Sequence, residues 1–231
     1  MTIAEQLTQA KADLDAVYEA GKKAGGGGGG ANVLEYATNV SRMFYGAKFP
    51  PGYELVIDMP NSPTNIQEMF RVSYGLKKLT MNIPIDRLYN AQYFLIGHST
   101  NRSTLEELVL PDGIKFSNFM NFANRAHELK IVNCGLGEDG VGIDLSESTS
   151  NENCFDECDE LVEVRFKENT ITMSIDFVQS SKLSDASIES IINGLAVVSE
   201  KQELILHATV KDKLTESQIA IITQTKGWTL A

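Results

Sequence analysis

Cysteine residues provide the first candidates for chemistry in this chain. Cys154 and Cys158, in the run CFDEC, are spaced so that a helix would place both thiols on one face, as a metal site requires. No second pair follows, and the three histidines are isolated in the sequence. With Cys134 the cysteines make an odd number, which does not fit a disulfide framework. We therefore expect no zinc, and three buried thiols that pack as small apolar groups.

Acidic residues of the segment 135–153 raise the question of a calcium site. Glu138, Asp139 and Asp144 lie in this segment, but their spacing differs from the Asp-x-Asp-x-Asp-Gly loop that surrounds the ion. The segment also interrupts the pattern of apolar residues on either side of it. We expect no metal there, and a solvated loop.

Catalytic motifs are absent from the sequence. Ser73 lies in RVSYG, where Arg71 takes the place of the first glycine of a Gly-x-Ser-x-Gly nucleophile turn. The glycine tract at residues 25–30 is followed by alanine and asparagine, whereas a phosphate-binding loop needs lysine and then serine or threonine. The sequence predicts a non-enzymatic protein without a cofactor.

The charge balance narrows the classes of partner. Lysine and arginine total 20 and aspartate and glutamate total 31, which gives a formal net charge of −11. A nucleic-acid binder needs a basic face, and the basic residues here are scattered, so we expect no nucleic-acid partner.

No apolar run reaches the ~20 residues that span a bilayer, so we expect no membrane insertion. The N-terminal region lacks the apolar core of a secretion signal, so we expect no export by that route unless a signal was removed.

Residues 1–24 are predicted to form a helix, in which Thr2 and Glu5 fit a capping box. Its apolar positions follow alternating steps of four and three residues, which is the spacing of a heptad seam: Ile3, Leu7, Ala10, Leu14 and Val17. Two interpretations remain open: a coiled coil that makes a homo-oligomer, with a trimer favoured, or a helix that packs on its own domain. Residues 25–30 predict a flexible linker, native or introduced, and residues 31–231 then form a separate domain.

A leucine pattern recurs through the domain. Leu-x-x-Leu-x-Leu or a close variant occurs four times, at separations of 29, 24 and 32 residues, and a fifth copy keeps two of its positions. The copies are Leu76, Leu79 and Met81; Leu105, Leu108 and Leu110; Leu129, Val132 and Cys134; Leu161, Val164 and Phe166; Leu204 and Leu206. Phenylalanines precede three of them, at Phe70, Phe122 and Phe155. Such recurrence is typical of a leucine-rich repeat, whose short parallel strands stack around one core.

Each copy is predicted to supply one strand of a parallel sheet, near residues 79–81, 108–110, 131–134, 164–166 and 204–206. Alternation along the strand points the last two apolar residues of a copy inward. The run YELVIDMP alternates in the same way and predicts one more strand. The predicted fold class is therefore α/β: an irregular leucine-rich repeat solenoid with a parallel sheet, preceded by an N-terminal helix.

Helix signals near the end of the chain predict a cap for the last repeat. Ser184 is placed to cap one helix, and Thr215 opens a capping box for another. Between them, residues 203–210, ELILHATV, are predicted to form a strand. The last helix is predicted to end near Gly227, and the following WTL to close the sheet.

Three stretches of the sequence resemble a known family. The run NCFDECDELVEVRFKENTITMSIDFVQSSKLSDASIESIINGL resembles the irregular BspA-type leucine-rich repeats of bacterial surface and prophage proteins. The runs MTIAEQLTQAKADLDAVYEAGKKA and LILHATVKDKLTESQIAIITQTKGWTL are similar to the two ends of small repeat proteins encoded by phages and prophages of gut bacteria. Residues 31–68 are less similar to this group.

The resemblance implies a structural or accessory protein of a phage virion or its tail, with a repeat domain for recognition and no catalytic residues. The N-terminal helix would bind other virion proteins, and the repeats a host surface protein or glycan. The alternative is a bacterial surface module without its export signal, located in the bacterial cytoplasm or at the cell surface. Exposed strand positions form the candidate binding surface, unless they are only solvated: Lys78, Thr80, Glu107, Val109, Lys130, Glu163 and Arg165.

Overall fold

A computed structural model describes residues 39–61, 63–97, 103–136 and 139–231, which have a mixed α/β fold. The strands are β1 (Lys48–Asp58), β2 (Tyr74–Asn82), β3 (Leu88–Asn90), β4 (Glu107–Val109), β5 (Lys115–Asn118), β6 (Ile131–Asn133), β7 (Glu163–Val164), β8 (Ile175–Phe177), β9 (Glu203–Leu206) and β10 (Thr229–Leu230). The helices are α1 (Asp185–Gly194), α2 (Ala208–Lys211) and α3 (Glu216–Ala220), and a π-helix, Ile221–Thr225, follows α3.

The main sheet has five strands in the order β1-β2-β4-β6-β7, and every pair in it is parallel. Leu79 on β2 is level with Leu55 on β1 and with Leu108 on β4. Leu108 is in turn level with Val132 on β6. The prediction that the leucine copies supply adjacent parallel strands is confirmed for the first four copies. The strand predicted from YELVIDMP is present as part of β1.

The prediction that residues 204–206 join this sheet is wrong. They lie in β9, at the centre of a second parallel sheet with the order β10-β9-β8. The cause lies beside β7, where α1 takes the place of another strand. The Ser187 hydroxyl accepts a hydrogen bond from Val164 N at 3.0 Å, and the Ser190 hydroxyl accepts one from Phe166 N at 2.9 Å. Because a helix satisfies these N–H groups, the next strand pairs elsewhere.

The core runs through these two sheets and through a third, two-stranded parallel sheet of β3 and β5. It includes the predicted apolar positions. Leu79 and Leu108 have 0% exposure, and so do the phenylalanines that precede the leucine copies. The aromatic rings of successive repeats are in contact. Phe94 stacks on Phe122 with 5.4 Å between ring centroids, and Phe155 meets Phe122 edge-on at 6.2 Å. Each repeat therefore buries its apolar side against its neighbours.

Tight turns form the side of the repeats opposite the main sheet. An asparagine opens four of these turns, and its side-chain oxygen accepts the N–H two residues further on; the Asn65 bond to Gln67 N is 3.0 Å long. These asparagines recur every 25 to 28 residues: Asn39, Asn65, Asn90 and Asn118. Three residues after each asparagine, the backbone enters the left-handed region with φ from 53° to 60°. These four turns thus share one local geometry, and they recur along the chain as the strands do.

The C-terminal helices begin where the sequence predicts. The Ser184 side chain caps α1, and Thr215 opens the capping box of α3. The strand predicted for residues 203–210 is wrong in its second half, because it ends at Leu206 and His207 caps α2 through its imidazole. The final WTL does contribute a strand, β10, which pairs with β9.

The segment 135–153 is not the solvated loop that the sequence predicts. Ile143 and Leu145 are buried in the core. Asp144 between them is buried as well, and its carboxylate lies 2.8 Å from the ammonium group of Lys167. The segment can pack into the core because the charged residue between its apolar residues forms an ion pair.

Some of the predictions concern residues that lie outside the described ones. They are the N-terminal helix with its seam residues Ile3, Leu7, Ala10, Leu14 and Val17, and the glycine linker. Among the described residues, no helix is long and apolar enough to cross a membrane.

Leu108→Ala is expected to lower the free energy of unfolding by about 2–5 kcal/mol, because it truncates a fully buried side chain. Glu107→Ala, next to it on the opposite face, removes a partly exposed ion pair with Lys78 and a 3.4 Å hydrogen bond from Asn133, and it is expected to cost less than about 1 kcal/mol. Urea denaturation followed by circular dichroism measures both. Equal unfolding free energies would contradict the assignment of the two faces.

Candidate functional site

The exposed face of the main sheet is the candidate functional site. Parallel strands in register place equivalent side chains side by side, so this face carries columns that cross the strands. The first column contains Glu54, Lys78, Glu107, Ile131 and Glu163, and the second contains Val56, Thr80, Val109 and Asn133. We refer to these nine residues as the sheet face.

Five of the seven residues predicted for the binding surface lie on the sheet face: Lys78, Thr80, Glu107, Val109 and Glu163. Lys130 lies one residue before β6 and belongs to neither column; its ammonium group pairs with Glu106 at 2.9 Å. On β6 the two outward places belong to Ile131 and Asn133, which the sequence analysis did not select. Alternation about the buried Val132 is the signal that identifies them.

Arg165 follows β7, and its guanidinium group binds a loop of the same chain. Arg165 Nη1 donates hydrogen bonds to Gly135 O at 2.8 Å and to Gly140 O at 2.9 Å. Asp112 holds the same loop by accepting a hydrogen bond from Gly142 N at 2.7 Å. Arg165 and Asp112 therefore clamp the loop beside the sheet face.

Charged groups on the sheet face occur only in the first column. Lys78 Nζ lies 2.9 Å from Glu107 Oε2, so these two charges offset each other. Glu163 accepts a hydrogen bond from the Ser187 hydroxyl at 3.3 Å. The second column is uncharged and begins at Val56, whose side chain is 59% exposed. The sheet face therefore combines a partly apolar strip with a row of mixed charge.

A second polar cluster lies on the turn side, around the buried carboxylate of Glu68. Arg42 Nη2 lies 2.8 Å from Glu68 Oε1, and Arg71 Nη1 lies 3.1 Å from Glu68 Oε2. Burial by itself would raise the pKa of Glu68, but the hydrogen bond from Arg42 and the charges of both arginines hold this pKa below its usual value. The Arg71 guanidinium also lies 5.9 Å from the Tyr45 ring centroid and 5.4 Å from that of Tyr93. The cluster joins three successive turns, which is a structural role.

The three cysteine thiols of the described residues are buried. Burial raises the pKa of Cys134 to about 12 and also raises the pKa values of Cys154 and Cys158. A protonated thiol is neither a good nucleophile nor a metal ligand. Ser73 is buried and donates its hydroxyl hydrogen bond to Phe70 O at 2.8 Å. No group of three or more His, Cys, Asp or Glu side chains in the described part of the chain is arranged to hold a metal ion.

Comparisons with known proteins return no relative of this chain. No family model, no curated protein and no solved structure matches it.

Asp144→Asn is expected to lower the free energy of unfolding by about 1–3 kcal/mol near neutral pH, because it removes a buried charge that accepts hydrogen bonds from Lys167 and Ser146. Burial alone would raise the pKa of Asp144, but these hydrogen bonds hold it below its usual value. A lowered folded-state pKa stabilises the fold above the unfolded pKa of ~3.9, and this contribution is lost as the pH falls through the folded value.

The difference between wild type and Asp144→Asn should therefore shrink as the pH falls below about 4. Urea titrations at neutral and acidic pH measure this difference. Asp86→Asn, at an exposed position, is the matched control and should stay within about 0.5 kcal/mol of the wild type. A stability loss in Asp144→Asn that is the same at every pH would show that the carboxylate charge is not its cause.

Proposed function

We propose that this protein is a non-enzymatic component of a phage particle that recognises a host surface protein or glycan through the sheet face. The observation that carries the proposal is the alignment of five parallel strands, which presents two columns of side chains on one surface. Repeat proteins commonly bind their partners through such extended surfaces.

The architecture that we propose is an irregular leucine-rich repeat solenoid. Three features support it: the recurrence of the leucine copies, the parallel register of their strands, and the recurrence of the turns on the opposite side. In a solenoid each repeat contacts only its neighbours, and the last repeat needs a cap. The second sheet and α1 to α3 would be that cap.

The composition of the sheet face suits a macromolecular ligand. The uncharged second column offers Val56, Thr80 and Val109 across three adjacent strands, with hydroxyl and apolar groups that can contact a protein or the ring of a sugar. The first column adds a few charges that can set orientation and specificity. Residues 1–24 would join the domain to other virion proteins, as a trimer if the heptad seam associates.

The location is tested by fractionation of a bacterial culture that carries the gene, after induction of its prophages. Antibodies raised against the repeat domain should detect the protein in particles purified on a density gradient. Detection in the cell envelope and absence from the particles would contradict the proposal and favour a bacterial surface module.

Binding through the sheet face is tested with Val56→Asp in the full chain, measured as retention of the purified protein on host cells. This substitution places a charge in the uncharged column and is expected to reduce retention by roughly tenfold or more, since a ligand bound there would bury the charge without a partner. Val197→Asp is the matched control, because Val197 is 72% exposed and lies outside the sheet face. Equal retention of the two variants and the wild type would contradict the assigned surface.

A further inference from the structure

The part of the chain that holds the first three turns differs in composition from the rest. Residues 39–97 contain five of the seven tyrosines, and six lysines and arginines against four aspartates and glutamates. Over the whole chain lysine and arginine total 20 and aspartate and glutamate total 31, so acidic residues predominate elsewhere. A partner of negative charge therefore meets the least repulsion at these turns.

Arginine and tyrosine side chains alternate along a row on the turn side. The Arg42 guanidinium lies 6.0 Å from the Tyr45 ring centroid, and the Arg71 guanidinium lies 5.9 Å from the same centroid. The Arg71 guanidinium also lies 5.4 Å from the Tyr93 ring centroid. At such distances a guanidinium group is attracted to an aromatic ring, which helps to hold the four side chains in place. We refer to Arg42, Tyr45, Arg71 and Tyr93 as the arginine–tyrosine row.

The row keeps one positive charge that its own carboxylate does not offset. Glu68 accepts a hydrogen bond from Arg42 Nη2 and another from Arg71 Nη1, so one carboxylate serves two guanidinium groups. Among the described residues, neither arginine has a further ion pair. The side chain of Arg42 is 61% exposed and that of Arg71 is 36% exposed. An anion that approaches the row can therefore pair with both arginines.

A sugar suits this surface better than a segment of protein does. The apolar side chains of the second turn are buried, since Ile66, Met69 and Phe70 have 0% exposure. The core of a protein interface needs apolar contacts, and the row offers few of them. The turn backbone is also occupied, because Arg42 N donates to Gln67 O at 3.1 Å, so it cannot pair with an extended peptide. A sugar can instead bind guanidinium and tyrosine hydroxyl groups through its own hydroxyls.

We propose that the arginine–tyrosine row is a second recognition site, which binds the carboxylate-bearing sugars of an acidic polysaccharide. The guanidinium groups of Arg42 and Arg71 pair with the sugar carboxylate, because their planar N–H groups match its geometry. Tyr45 and Tyr93 contact the sugar ring with their aromatic rings, which combine apolar surface with a hydroxyl group. The row lies on the turn side, opposite the main sheet, so this site does not rest on binding through the sheet face.

Retention of the full chain on immobilised polysaccharides at low ionic strength tests the proposal. Polygalacturonate and hyaluronate, which carry carboxylates, should retain the protein, and neutral dextran should not. A net charge of −11 opposes non-specific attraction to a polyanion, so retention requires a local site. Arg42→Gln and Tyr45→Ala should each reduce the retention by roughly tenfold, because each removes one contact to the acidic sugar. Added salt should release the wild type, since it screens exposed charges.

Arg125→Gln is the matched control for Arg42→Gln. Arg125 is an exposed arginine of a later turn that also pairs with one carboxylate, Glu157, and it lies outside the row. Its substitution changes the net charge equally and should leave retention unchanged. Val56→Asp, which tests the sheet face, also changes the net charge by one and should leave retention on these polysaccharides unchanged. Circular dichroism verifies that each variant is folded.

Absence of retention on both carboxylated polysaccharides, or equal losses in Arg42→Gln and Arg125→Gln, would overturn the proposal. Stronger retention on poly-glutamate than on the polysaccharides would also overturn it, because an acidic segment of protein would then be the partner. A loss in Val56→Asp without a loss in Arg42→Gln would place the sugar on the sheet face instead.

Discussion

Backbone hydrogen bonds between successive repeats are the constraint on which the rest of this structure depends. On the turn side, Glu68 N donates to Gln92 O at 3.1 Å and Phe70 N donates to Phe94 O at 2.9 Å. On the sheet side, β4, β6 and β7 have only two or three residues each, which is too short for a stable strand without neighbours. Each repeat therefore completes its backbone hydrogen bonds only when the next repeat is in place. The stacking sets the register of the strands, and the register aligns the side chains of the sheet face.

The same constraint explains why residues other than glycine occupy the left-handed region. Arg42, Glu68, Tyr93 and Asn121 have φ between 53° and 60°, a conformation that costs on the order of 1–2 kcal/mol for an ordinary residue. These residues occupy equivalent places in successive turns, where the conformation directs the neighbouring N–H groups to the next repeat. Arg42 and Glu68, which occupy two of these places, form an ion pair with 2.8 Å between Arg42 Nη2 and Glu68 Oε1.

Much of the main sheet could be predicted from the sequence, because burial alternates along a strand whatever the turns do. The turn side was not predicted, although Asn65, Asn90 and Asn118 recur at nearly the interval of the leucines. Three of the four left-handed residues could not be predicted, since arginine, glutamate and tyrosine do not favour that conformation, whereas the asparagine at position 121 does. Placement of the fifth leucine copy failed for a different reason. The serines Ser187 and Ser190 of α1 end the main sheet through side-chain hydrogen bonds, and no sequence pattern distinguishes them from other helix residues.

Amide hydrogen exchange resolved by residue with NMR is the most direct test of the stacking between repeats. Leu95 N donates to Phe122 O at 2.7 Å and Ala123 N donates to Cys154 O at 2.9 Å, and both bonds cross from one turn to the next. If stacking holds the fold together, these turn amides should be protected as strongly as the amides of β4 and β6, because both exchange only when the repeats separate. Turn amides that exchange at the rate of exposed loops, while the strand amides stay protected, would contradict this account.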